Sequence, residues 1–132
     1  MSERATGTIE MKSWEERPFA ESPDTPKLTR ANGSDLYHGD LEGEATFEYL
    51  MMYQGENAAT YVGMERFVGQ LGGRHGSFVL QLNGTYANGV VQATWSVVSG
   101  SGAGDLRGLR GDGELIWKGH QESSITFDYD FD

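Results

Sequence analysis

The chain has 132 residues, a formal charge of −10 and no cysteine. That size fits one domain over residues 1–132, and the missing cysteines exclude a disulfide framework, a thiolate nucleophile and any cysteine-based metal site. Its 10 Lys and Arg against 20 Asp and Glu are dispersed along the sequence, so neither nucleic acid nor an anionic membrane surface is expected as a partner. The opening MSERATGTIE lacks an apolar run of signal-peptide length, which leads to the expectation of a cytoplasmic protein.

In chain order, the first strand-like run is ATGTIEMKSW (5–14). RPFAESPDTPK (17–27) follows, with Pro18, Pro23 and Pro26. Missing amide donors and fixed φ predict a long loop here, placed to act as a lid. LTRANGSDLYHG (28–39) is a weaker strand, and EATFEYLMMY (44–53), ATYVGMERFVGQL (59–71), GSFVLQL (76–82) and VVQATWSVV (90–98) are stronger ones. GELIWKG (113–119) and SSITFDYDF (123–131) complete the series. Turn signals at Gly55-Glu56-Asn57, Gly72-Gly73, Asn88-Gly89 and Asp112-Gly113 separate them. Seven or eight strands with short connections read as an antiparallel meander, closed into a small barrel or folded as a two-sheet sandwich.

The glycine-rich stretch SVVSGSGAGDLRGLRGDGEL (96–115) invites a nucleotide-binding reading and fails it. Counted from Gly100 or Gly102, the third glycine of a dinucleotide fingerprint is replaced by Asp105 or Arg107, and no Lys follows Gly108 or Gly113 as a P-loop requires. The glycines are expected to shape the chain, and no cofactor is expected. His38, His75 and His120 stand apart without ligand spacing, so no metal is expected either.

Alternation along each strand sorts side chains into two faces. The less charged sets are Phe47, Tyr49, Met51 and Tyr53; Phe78, Leu80 and Leu82; Val91, Ala93, Trp95 and Val97; Leu115 and Trp117; and Ile125, Phe127, Tyr129 and Phe131. Asp128, Asp130 and Asp132 then form a solvated face. On residues 59–71 either parity brings one charge inward, Glu65 beside Tyr61 or Arg66 beside Met64, with Glu65 favoured. On the first strand periodicity turns Glu10 outward, with Thr8, Lys12 and Trp14 on the same parity.

Taken together, ATGTIEMKSWEERPF, PKLTRA, HGDLEGEATFEYLMMY, YVGMERFVGQLGGRHGSFVLQ and VVSGSGAGDLRGLRGDG resemble a family of small bacterial proteins classed as a domain of unknown function. That resemblance spans nearly the whole chain and implies a barrel similar to plant allene oxide cyclase, a fold shared with dirigent proteins and spirotetronate cyclases. It selects an all-β, eight-stranded antiparallel allene-oxide-cyclase-like (lipocalin-like) barrel over the sandwich. LYHGDL and GSGAGDLRGLRGDGEL also resemble cyclase segments, and superposing the first strands implies that Glu10, with Lys12 and Trp14, faces the lumen, against the periodicity. Relatives in the unknown-function family often carry His where this chain has Leu82, which argues against a catalytic histidine.

The resulting expectation is a barrel that binds a small hydrophobic molecule and acts as a cofactor-independent isomerase or cyclase. Glu10 and Glu65 are the candidate catalytic residues; Trp14, Tyr49, Met51, Tyr53, Tyr61, Phe78, Leu82, Trp95, Trp117, Phe127 and Tyr129 are the candidate substrate-binding ones. An aromatic lumen could hold a reactive conformer and exclude water, and a carboxyl buried there would have its pKa raised. A non-catalytic lipophilic-ligand binder and a solid barrel acting through its surface or an oligomer interface are the alternatives. A homo-oligomer, dimer or trimer, stays open.

Overall fold

The computed structural model describes residues 2–119 and 123–132; His120 lies outside them. Nine strands occur among the described residues: β1 (Glu3–Ser22), β2 (Thr25–Gly39), β3 (Leu41–Gly55), β4 (Ala58–Leu71), β5 (Arg74–Ala87), β6 (Val90–Val97), β7 (Ala103–Gly104), β8 (Leu109–Trp117) and β9 (Ser123–Phe131). All pair antiparallel in one sheet, in the order β4-β3-β2-β1-β9-β8-β6-β5-β7. Because β4 also pairs with β5, eight of them form a closed ring and β7 sits beside β5.

Turn chemistry accounts for two of the connections. Gly72 and Gly73 have φ of 57° and 88°, and Asn88 and Gly89 have 51° and 83°. Two successive residues with positive φ match the right-handed twist of the strands they join, so β4–β5 and β5–β6 are tight hairpins. Within the glycine-rich stretch, β7 lies against Gly76 and Ser77 of β5, beyond the end of the β5–β6 ladder. Leu106 from this segment is buried in the core. Ser101 Oγ accepts from the Val79 amide at 3.0 Å, and the Asp105 amide donates to the His75 carbonyl at 2.8 Å. The loop's polar groups are used to close the fold.

The proline segment is not the predicted loop. β1 continues to Ser22, and Pro18 pairs with Thr29 of β2. The physical reason is that among the described residues β1 pairs with β9 over Glu3 to Ile9, so around Pro18 its outer edge carries no ladder for a missing amide donor to break. Along that half, irregularities interrupt the β1–β2 register between Met11 and Ser13 and again around Ala20. A one-residue slip exchanges the two faces of a strand. Ile9 is therefore buried on one side of the irregularity, while Trp14 and Glu16 turn inward on the other.

Phe67, Phe78, Phe127, Leu41, Leu71, Leu80 and Leu106 are fully enclosed in the interior. Several other aromatic rings lie flat against the sheet over glycines of the neighbouring strand. A Cβ on Gly63 would stand 2.5 Å from Tyr49 Cδ1, and one on Gly84 would overlap the Tyr61 ring. Glycine at these positions lets the rings line the inner wall of the sheet.

Candidate functional site

The polar contents of the interior come from four adjacent strands. Thr29, Asp35 and Glu65 are the buried polar or charged side chains among the described residues. Glu65, on β4, is 4% exposed. Tyr37 donates its hydroxyl to Glu65 Oε1, and Tyr49 donates to Oε2 at 2.8 Å. Asp35, on β2, is 6% exposed, and its Oδ1 has no hydrogen-bond partner. No buried Lys, Arg or His accompanies these carboxylates among the described residues.

Burial and the nearby Glu65 push the Asp35 carboxyl up to about 7. Burial also raises Glu65, against the lowering effect of its two tyrosine donors. Like charges in one apolar enclosure resist simultaneous ionisation, so the pair retains a proton into the neutral range. The hydroxyls around them respond in the matching sense. Burial, then Glu65, lifts Tyr37 and Tyr49 well above the ordinary phenol value and lifts Tyr61 to about 12, so all three are neutral donors.

An aromatic wall surrounds the pair. Phe47 and Tyr49 stack at 4.5 Å, Tyr49 meets Tyr61 at 5.1 Å, and Trp14 lies over Phe47 and Tyr49 at 5.7 and 6.2 Å. Trp14 remains 38% exposed, so this part of the wall meets solvent. Further along the same face, half-buried Glu16 accepts from Thr29 Oγ1 at 2.6 Å, from Trp14 Nε1 at 3.2 Å and from the Tyr53 hydroxyl. Burial works to raise its pKa, but those three donors and Lys27 outweigh it and hold Glu16 below the ordinary range. Tyr53 also borders a hollow of about 670 Å³ between the β1–β2 and β3–β4 turns, where Lys27 Nζ sits 4.9 Å from its ring centre. A second hollow, about 470 Å³, lies on the outer side of the sheet, where Gln81, Asn83, Thr94, Asp112 and Glu114 point outward.

The structure sorts the sequence candidates into three groups. Glu65, Trp14, Tyr49 and Tyr61 come together with Asp35, and Met51 is buried on the same wall through its pairing with Tyr61. Phe78, Trp95, Phe127 and Tyr129 pack with one another at ring separations of 4.7 to 6.0 Å and connect through Phe67 to Tyr37, with Leu82 buried in the same core. Tyr53 and Trp117 lie half-buried towards one end of the ring.

Glu10 is the correction. Its side chain is 58% exposed on the outer face, 4.0 Å from His38 Nε2, and Lys12 is likewise outside, paired with Glu44 at 2.8 Å. Ile9 holds the inner position at that level, and the irregularity after Met11 returns Trp14, but not Glu10 or Lys12, to the inside. Periodicity therefore places Glu10 correctly, and superposition on the cyclase strand does not. The acidic face of β9 is outward as expected, with Asp128 on Arg4 at 2.8 Å and both Asp130 and Asp132 on Arg110.

Asp35, Tyr37 and Glu16 are site residues that the sequence reading missed. Asp35 had a usable signal: on LTRANGSDLYHG the alternating set Thr29, Ala31, Gly33, Asp35 and Tyr37 brings one charge inward, as Glu65 does on β4. Glu16 had none, because its parity depends on the irregularity upstream.

Among the described residues no helix is long and apolar enough to cross a membrane, and no three His, Asp or Glu side chains are placed to hold a metal ion. No curated protein matches the chain. A protein of unknown function from the DUF3224 family of Shewanella oneidensis MR-1, known from a crystal structure, is 29% identical, with a TM-score of 0.82 over 100% of this chain and 99% of that one. The family described as "Protein of unknown function (DUF3224)" matches residues 5–129. The chain therefore belongs to the DUF3224 family.

Proposed function

We propose that this protein binds a small hydrophobic molecule inside an eight-stranded, allene-oxide-cyclase-like barrel and acts on it as a cofactor-independent isomerase or cyclase. The supporting observation is Glu65, fully enclosed and held by two tyrosine hydroxyls, beside an Asp35 carboxyl with an unpartnered oxygen. A carboxylate pair kept only for stability would normally carry a cationic partner, because two desolvated acids cost several kcal/mol when both ionise. Here the proton they retain is a proton that can be given. In this reading the Asp35–Glu65 pair gives a proton to the bound molecule and takes one back as the product forms, Tyr49 and Tyr61 hold its reactive conformer, and the aromatic faces line the developing cation.

A solid interior is the second reading, favoured by the complete enclosure of Phe67, Phe78 and Phe127. A screen of small apolar compounds by ¹H–¹⁵N NMR, followed by product analysis of the hits with wild type and Glu65→Gln, separates the two. Shifts confined to the Trp14, Tyr49 and Tyr61 wall, with conversion lost in Glu65→Gln, support the proposal. Binding without conversion leaves a carrier of lipophilic molecules. Absence of any inward shift favours the solid interior.

A further inference from the structure

We infer that the molecule held by this interior is cationic: a small hydrophobic amine whose ammonium group meets Asp35 and Glu65 and whose hydrocarbon part lies against Trp14, Phe47, Tyr49 and Tyr61. This rests on the reading of the interior as a binding site and adds the class of its ligand.

Three observations carry it. Asp35 and Glu65 turn into one side of the ring, and among the described residues no Lys, Arg or His is buried with them, whereas Glu16 on the same face has three donors and Lys27. Asp35 Oδ1 lacks a donor although it is enclosed, and the protein has little left to offer it. Each tyrosine hydroxyl has one proton to donate, and those of Tyr37 and Tyr49 are both committed to Glu65, while the Tyr61 hydroxyl lies over Gly84. An ammonium group brings the missing donors together with the missing positive charge. The surrounding wall is made of aromatic faces, which attract a cation through their quadrupoles most strongly where water is excluded.

Other ligand classes fit less well. A fatty acid or other carboxylate would add a further negative charge to an enclosure that already strains to hold two. Because no three acidic or histidine side chains are grouped for a metal among the described residues, the cation is organic. The formal charge of −10 also draws cations towards the protein from a distance.

The pH dependence gives the inference a sign. The groups facing Asp35 are Tyr37 from its own strand, Tyr49 from β3, and Tyr61 and Glu65 from β4; Glu10 and Lys12 of β1 point away. Those tyrosines stay neutral throughout the accessible range, so the carboxylate pair alone titrates there. An amine must displace the retained proton and binds better as the pH rises through neutrality. A neutral oxygen acceptor needs that proton and binds better as the pH falls.

The test uses three probes of similar size, 2-phenylethylamine, 2-phenylethanol and phenylacetate, titrated by calorimetry and by ¹H–¹⁵N NMR at pH 8 and pH 5.5. The amine should bind at least about tenfold tighter than the alcohol at pH 8, weaken at pH 5.5, and shift the amides around Asp35 and Glu65; phenylacetate should not bind. Asp35→Asn should lose about tenfold or more for the amine at pH 8, so that its preference over the alcohol disappears. This variant removes an unpaired buried charge, so it is expected to fold. Equal affinity for amine and alcohol would overturn the cation and leave the ligand-binding interior standing. A preference for phenylacetate, or amine shifts confined to the outer acidic face around Asp112 and Glu114, would also overturn it, and failure of all three probes would remove both readings.

Discussion

Between pH 5 and pH 8 the folded protein should lose stability as the pH rises, and Asp35→Asn should abolish most of that loss. The Asp35 carboxyl stands at about 7 in the folded chain against an ordinary value of 3.8, because burial and the nearby Glu65 disfavour its anion. Between these values the folded state keeps a proton that the unfolded state has released, so raising the pH draws the equilibrium towards unfolding. The effect is absent below the unfolded value and complete above the folded one. The whole gap of roughly three pH units at about 1.4 kcal/mol each amounts to about 4 kcal/mol, of which the roughly two units above pH 5 carry about 3 kcal/mol. Glu65 is also raised and acts in the same direction. The surface acids Glu48, Asp128 and Asp130, lowered by their arginine partners, act oppositely, but their contribution is already in place above the ordinary carboxylate range. For a chain of this length about 1 kcal/mol moves Tm by roughly 3 to 4 °C. Thermal unfolding followed by circular dichroism at pH 5, 6, 7 and 8 should therefore show the wild type falling by about 8 to 10 °C, with Asp35→Asn much flatter. A wild-type Tm that is level or rises over this range, or a variant that falls in parallel with it, would refute the reasoning.

Three further predictions concern other parts of the site. Tyr37→Phe leaves Glu65 with only the Tyr49 donor and should cost about 1–3 kcal/mol in urea unfolding at pH 7; a cost below about 0.5 kcal/mol would remove that hydrogen bond from the account. Gly63→Ala makes a methyl group overlap the Glu48 carbonyl oxygen and stand 2.5 Å from Tyr49 Cδ1, and should destabilise by at least about 1–3 kcal/mol. Gly55→Ala, whose Cβ would meet nothing within 4 Å, serves as its control and should move the urea midpoint far less. Glu10→Gln changes a side chain in solvent and should leave Tm and ligand binding unaltered; a loss of binding comparable to that of Glu65→Gln would show that the outer face takes part.

Much of the strand pattern is local and so was legible in the sequence. Alternation in EATFEYLMMY and SSITFDYDF places Phe47, Tyr49, Phe127 and Tyr129 inside because successive side chains leave a strand on opposite faces. Gly72-Gly73 and Asn88-Gly89 make their turns because few other residue pairs accept two positive φ values in succession. Glu65 could be singled out for the same kind of reason: whichever way β4 faced, one charge had to turn inward.

The tertiary structure alone decided what that charge would meet. Pro18 lies in a strand because the edge of β1 around it carries no ladder with β9, a fact of register between segments more than a hundred residues apart. The irregularity after Met11 turns Trp14 and Glu16, which share the parity of solvent-facing Glu10, to the interior, and parity counted along the sequence cannot see a displaced residue. Asp35 joins Glu65 because β2, β3 and β4 run side by side and turn the same face inward. The raised pKa of both carboxyls follows from that enclosure. A carboxyl's affinity for a proton depends on the charges and the water around it, and both are set by residues distant in sequence.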